Sequence, residues 1–116
     1  MTIIAQPQHY TVTEGDTLEP IQGTIYKGDG TPQDLTGATV VFNMKHQYTG
    51  TVKVASGSAS IVSAPTAGVV KYEWEAEDVD TPGLYDGEFV VTIGGKTLTF
   101  PNRNKIFINV ESKLTS

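Results

Sequence analysis

Apolar and polar residues alternate along this chain in short runs. Gly, Pro, Asp and Asn separate the runs at roughly the 8–12-residue spacing of strands in an all-β sandwich or barrel. The clearest run is ATVVFNMK, where Val40, Phe42 and Met44 share one face and Val41, Asn43 and Lys45 the other. VVKYEWE repeats the pattern, with Val70, Tyr72 and Trp74 inward and Lys71, Glu73 and Glu75 outward. LYDGEFVVTIGGKTLTF predicts a β-hairpin, because Gly94-Gly95 supplies the positive φ of a tight connection. Its first arm sets Tyr85, Gly87, Phe89, Val91 and Ile93 on one face.

The remaining runs are shorter. HYTVTEG predicts a first strand and LEPIQGTIYK a second, whose Pro20 suits only a strand start, an edge or a bulge. TVKVASGSASIVS predicts two strands, around Thr51 to Val54 and Ala59 to Val62, separated by a loose turn. APTAG predicts a turn in which Pro65 presets φ and Gly68 permits a left-handed residue. NKIFINVE closes the pattern with Ile106, Ile108 and Val110 facing one way. No segment carries the periodicity of an amphipathic helix.

Seven or eight short strands without helices to cover their apolar faces need a second sheet. The predicted fold is therefore an all-β, two-sheet antiparallel β-sandwich, with a closed barrel as the alternative because alternation does not report closure. The 116 residues suffice for one domain over 1–116, with a short N-terminal arm at 1–8 and a C-terminal tail at 112–116.

Composition narrows the function classes. The chain is 38% hydrophobic and 18% charged, the balance of an ordinary globular protein. Its net charge of −5 argues against nucleic acid and anionic membrane as partners, since both are bound by clustered Lys and Arg. The absence of cysteine removes disulfides, thiolate zinc sites and cysteine nucleophiles, and leaves the compartment open. MTIIAQPQHY has no basic n-region, and no stretch approaches the ~18 apolar residues of a membrane span. The expectation is a soluble chain made in the cytosol.

Candidate chemistry is sparse. Glu73, Glu75, Glu77, Asp78, Asp80 and Asp86 offer oxygen ligands for a hard cation such as calcium, but their spacing is not that of an EF-hand loop. The run is expected to face water, with Asp78, Asp80 and Asp86 as the metal candidates if the turn folds them together. His9 and His46 fall in different strands, outside any H-x-H or H-E-x-x-H arrangement. GSAS lacks the G-x-S-x-G pattern, and GDG and IGGK lie in hairpins without the helix a phosphate cradle needs. No catalytic residue and no cofactor are expected. Tyr10, Tyr26, Tyr48 and Phe107 are the candidates for a contact surface, since Tyr and Phe are enriched at interfaces. Ile3-Ile4 would pair as an edge strand within the domain or extend a neighbour's sheet.

One stretch carries more specific information. DTPGLYDGEF resembles the approach to a tyrosine corner, in which Tyr85 near a strand start bonds back to the preceding backbone, Gly83 shapes the entry and Phe89 is core. Antibody domains place a cysteine two residues after that tyrosine, where this chain has Gly87. Their buried tryptophan lies on an earlier central strand, whereas Trp74 here comes just before the corner. The likeness is to Ig-like sandwiches in general.

Read together, DLTGATVVFNMK, AGVVKYEWEAEDVDTPGLYDGEFVV, GGKTLTFPN and KIFINV resemble the N-terminal domain of phage baseplate upper proteins, over roughly Thr17 to Val110. The resemblance implies an Ig-like sandwich of phage or prophage virion proteins that docks a longer chain onto the baseplate core. The function it implies is a non-enzymatic structural module of the baseplate, tail or head. Such a module would be made in the host bacterial cytoplasm and carried in the virion. It would act through contacts with other virion proteins, self-association included, and not with nucleic acid or membrane. The alternative is a carbohydrate- or cell-surface-binding module, which needs exposed aromatics gathered on one sheet face or one set of loops.

Overall fold

The computed structural model describes residues 3–4, 9–27, 29–100 and 106–114, with the backbone alone at 3–4. The strands are β1 (Ile3–Ile4), β2 (His9–Thr13), β3 (Ile21–Tyr26), β4 (Thr39–His46), β5 (Val52–Ser58), β6 (Ser60–Ile61), β7 (Val69–Tyr72), β8 (Gly83–Ile93), β9 (Lys96–Phe100) and β10 (Ile106–Glu111). Short 3-10 turns occupy Pro65–Ala67 and Ala76–Val79. No helix among the described residues is long and apolar enough to cross a membrane.

The strands form two sheets in the order of an Ig-like sandwich. One sheet runs β1-β3-β7-β6 and the other β2-β10-β8-β4-β5. β8 is the longest strand: β4 lines one of its edges, while β10 and then β9 share the other. The closed-barrel alternative does not hold, because the two sheets are separate.

Three expectations are corrected. The pairing is not antiparallel throughout, since β2 runs parallel to β10 from His9↔Phe107 to Thr13↔Glu111. Parallel neighbours need a long crossover, and the chain between these two strands provides one. The second correction concerns TVKVASGSASIVS. There β5 continues through Ser58, with Ser56 at φ 52° and register shifts against β4 where a loose turn was expected. Ser56 N donates to Asn43 Oδ1 at 2.7 Å, so the irregularity is a bulge held by a side chain. Among the described residues the strands number ten instead of seven or eight, the two-residue β1 and β6 included.

Inner-face residues of both sheets meet in one core. Phe42 lies at its centre, stacked on Tyr72 at 4.9 Å, edge-on to Trp74 at 5.8 Å and tilted against Phe89 at 5.0 Å. At Gly87, the antibody cysteine position, this core has no room for a side chain. A Cβ there would sit 2.7 Å from Ile108 Cδ1 and 3.0 Å from Phe42 Cζ, so these two side chains already fill the space. Burying each large apolar side chain contributes roughly 1.5–3 kcal/mol, and here that gain does not depend on a covalent staple.

Candidate functional site

The acidic stretch folds as a structural corner. β7 ends at Tyr72, and Glu75 N-caps the 3-10 turn at Ala76–Val79 in a reciprocal capping box with Asp78. Asp78 is not water-facing as expected. It is only 5% exposed, and its Oδ2 accepts from the Tyr72 hydroxyl at 2.6 Å and from Glu75 N at 2.8 Å. Burial and the Asp78 hydrogen bond push the Tyr72 hydroxyl far above its ordinary pKa. The E-x-x-D spacing of Glu75 and Asp78 was the signal for this role, and a reading of the run as charge alone passes over it.

The other carboxylates go separate ways. Asp80 pairs with Lys53 Nζ at 2.5 Å and accepts from Thr81 Oγ1 at 2.8 Å, and these two bonds hold its carboxyl below the usual range. Asp86 accepts from Gln47 Nε2 at 3.1 Å, and Glu73 pairs with Lys71 at 2.9 Å. Asp78, Asp80 and Asp86 are therefore not brought together. No group of three potential metal-ligating side chains forms among the described residues.

After the corner, Tyr85 is buried and its hydroxyl donates to the Thr81 carbonyl at 2.7 Å. Burial raises its pKa, with Lys53 opposing and Asp80 adding to the rise. Gly83, at φ 155°, passes directly under the His46 ring, which stands edge-on to Tyr85 at 5.2 Å. His46 Nδ1 accepts from Tyr48 N and Thr49 N, so the imidazole shapes the β4–β5 turn. Trp74 lies in the core beside Tyr10, and its indole N–H has no acceptor among the described residues. Phe89 is fully buried.

The predicted contact aromatics are dispersed. Tyr10 is half-buried and donates to the Glu19 carbonyl at 3.0 Å. Tyr26 is half-buried at the far end of β3, where its backbone pairs with Ile3 of β1 and bridges to Pro32. Ile4 pairs likewise with Ile25, while the side chains of Ile3 and Ile4 lie outside the described residues. Tyr48 projects from the β4–β5 turn, and Phe107 from the outer face of β10 against His9 at 5.2 Å. These aromatics do not line one groove.

Two surfaces stand out instead. At the corner end, hydrogen bonds tie together loops that are far apart in sequence: Gly15 N to the Val79 carbonyl, Glu14 N to the Glu111 carbonyl, and Gln47 N to the Leu84 carbonyl. Leu18, Tyr48 and Leu114 project there into water, Leu18 at 91% exposure. The second surface is the outer face of the larger sheet. A hollow of about 380 Å³ lies over β8, β4 and β5, with Asp86, Lys45 and Val52 among its lining. Sequence reasoning singled out Phe107 on this face but not Val52, whose position beside Lys45 depends on the β5 bulge.

No curated protein matches the sequence. The family model of the BppU N-terminal domain matches residues 3–114, nearly the whole chain. The two-sheet order, the buried corner tyrosine and this match converge: the chain belongs to the BppU N-terminal domain family, a structural domain of the phage baseplate, and is a virion-associated protein.

Proposed function

We propose that the domain is a non-enzymatic docking module, made in the host bacterial cytoplasm, that joins other virion proteins through protein–protein contacts. The observation that carries this reading is the corner end of the sandwich. There rigidly tied loops hold Leu18, Tyr48 and Leu114 in water, at a cost that contact with a partner would remove. Glu14, Asp16 and Glu19 lie in the same loop as Leu18, and Glu77 and Asp80 in the corner tied to it, outnumbering Lys53 on Asp80 and Lys113 beside Gly15, so the surface suits a partner with apolar sockets and a basic rim. Docked repeatedly by symmetry, a domain of this size is held by many modest contacts without one deep pocket.

The test is electron microscopy of intact particles combined with cross-linking from residues introduced at Leu18 and Leu114. Cross-links from both positions to a virion subunit are expected. Absence of the domain from purified particles overturns the reading.

A further inference from the structure

The outer face of the larger sheet carries a row of four side chains directly opposite one another across four strands. Phe107 of β10 pairs with Asp86 of β8, Asp86 with Lys45 of β4, and Lys45 with Val52 of β5. Its flanks are apolar, Phe107 46% exposed with His9 of β2 beside it at the sheet edge and Val52 60% exposed, and its middle is oppositely charged. Asp86 and Lys45 do not form an ion pair with each other. Asp86 takes the Gln47 amide, and Lys45 has no ion-pair partner among the described residues.

Such a row is complementary to itself. Rotation by 180° about an axis in the contact plane, parallel to β8 and β4 and midway between them, keeps each residue at its height along the strands. It exchanges the left and right sides of the row. Asp86 of one copy then faces Lys45 of the other, and Phe107 faces Val52. A two-fold contact requires this of one surface patch. Leu84, one row further along β8, would face the Gln47 turn of the other copy.

We propose that this face pairs two copies of the chain through a two-fold contact centred between Asp86 and Lys45. The occupant follows from charge complementarity: the row is neutral and matches itself, whereas the acidic corner end would repel its own copy. Five strands at about 4.8 Å spacing give a face roughly 20 Å across, which places the contact at the low end of specific interfaces. The inference rests on the docking reading only in taking the domain's surfaces as its working parts. The corner end stays free for other subunits.

The test is sedimentation equilibrium of the full chain from about 5 to 500 μM, a range wide enough to read a weak, transient self-association. A monomer–dimer equilibrium is expected. Lys45→Glu and Asp86→Lys should each raise the dissociation constant at least about tenfold by placing like charges opposite. The double reversal, which restores opposite charges across the axis, should bring dimerisation back. Phe107→Ser gives a second reading at an exposed position and should weaken the dimer too. A monomer throughout the range, or a dimer indifferent to both single reversals, overturns the proposal. A monomer that still cross-links to virion subunits overturns the pairing alone, while a dimer absent from particles overturns the docking reading alone.

Discussion

The hydroxyl of Tyr85 donates to the carbonyl of Thr81 at 2.7 Å, closing the loop from Thr81 to Tyr85 at the point where the chain turns from the 3-10 turn into β8. Both groups would otherwise compete for water at a buried strand entry. Tyr85→Phe keeps the ring and removes the bond. It should lower stability by about 1 kcal/mol, read as a shift in the urea midpoint at unchanged slope. An unchanged midpoint would show that the bond contributes nothing to the corner.

Asp78 should matter more. Its carboxylate satisfies a tyrosine hydroxyl and a backbone N–H inside the fold, so Asp78→Ala strands two donors at once. A loss of about 2–3 kcal/mol is expected by chemical denaturation. Glu77→Ala, at an exposed position one residue away, is the control and should stay within about 0.5 kcal/mol.

Alkaline pH should destabilise the domain through Tyr72 and Tyr85. Both pKa values are raised in the folded state, so folded protein keeps protons that the unfolded chain releases near pH 10. The sign follows: their contribution is complete below about pH 10 and falls as pH rises towards the folded values. Denaturant midpoints taken from pH 8 to 11 should drop, and the drop should be shallower in Tyr72→Phe. Equal slopes in the two proteins would remove Tyr72 from the account.

Gly68 ends the 3-10 turn at φ 72°, and a Cβ there would lie 2.7 Å from the Ile25 carbonyl oxygen. Gly68→Ala therefore meets backbone strain and a backbone clash together, for a loss of about 2 kcal/mol or more. Gly30 has φ 90° with nothing within 4 Å of the same position. Gly30→Ala isolates the conformational part and should cost about 1 kcal/mol, so thermal melts of the pair separate the two effects.

The sequence was most informative where structure is local. The two faces of ATVVFNMK, the Gly94-Gly95 hairpin and the turn at Gly68 follow from alternation and φ preference, and each appears in the fold. Four features did not follow from local pattern. The parallel β2–β10 pair joins opposite ends of the chain, so no turn signal announces it. The Ser56 bulge uses the same small residues as a loop, and the Asn43 side chain that distinguishes them is 13 positions away. Asp78 sits in a charged run, and its burial depends on Tyr72 from the preceding strand. The row from Phe107 to Val52 needs the register of four strands, which alternation within each strand cannot supply.

The pairing of β2 with β10 also determines how the domain bears load. Tension applied through the chain before His9 and after Glu111 pulls two parallel neighbours in opposite directions along their length. All five paired positions are then strained in shear at the same moment, whereas an antiparallel hairpin opens one bond at a time from its end. The domain is thus a clamp against stretching by its own ends. That property suits a structural domain of the phage baseplate.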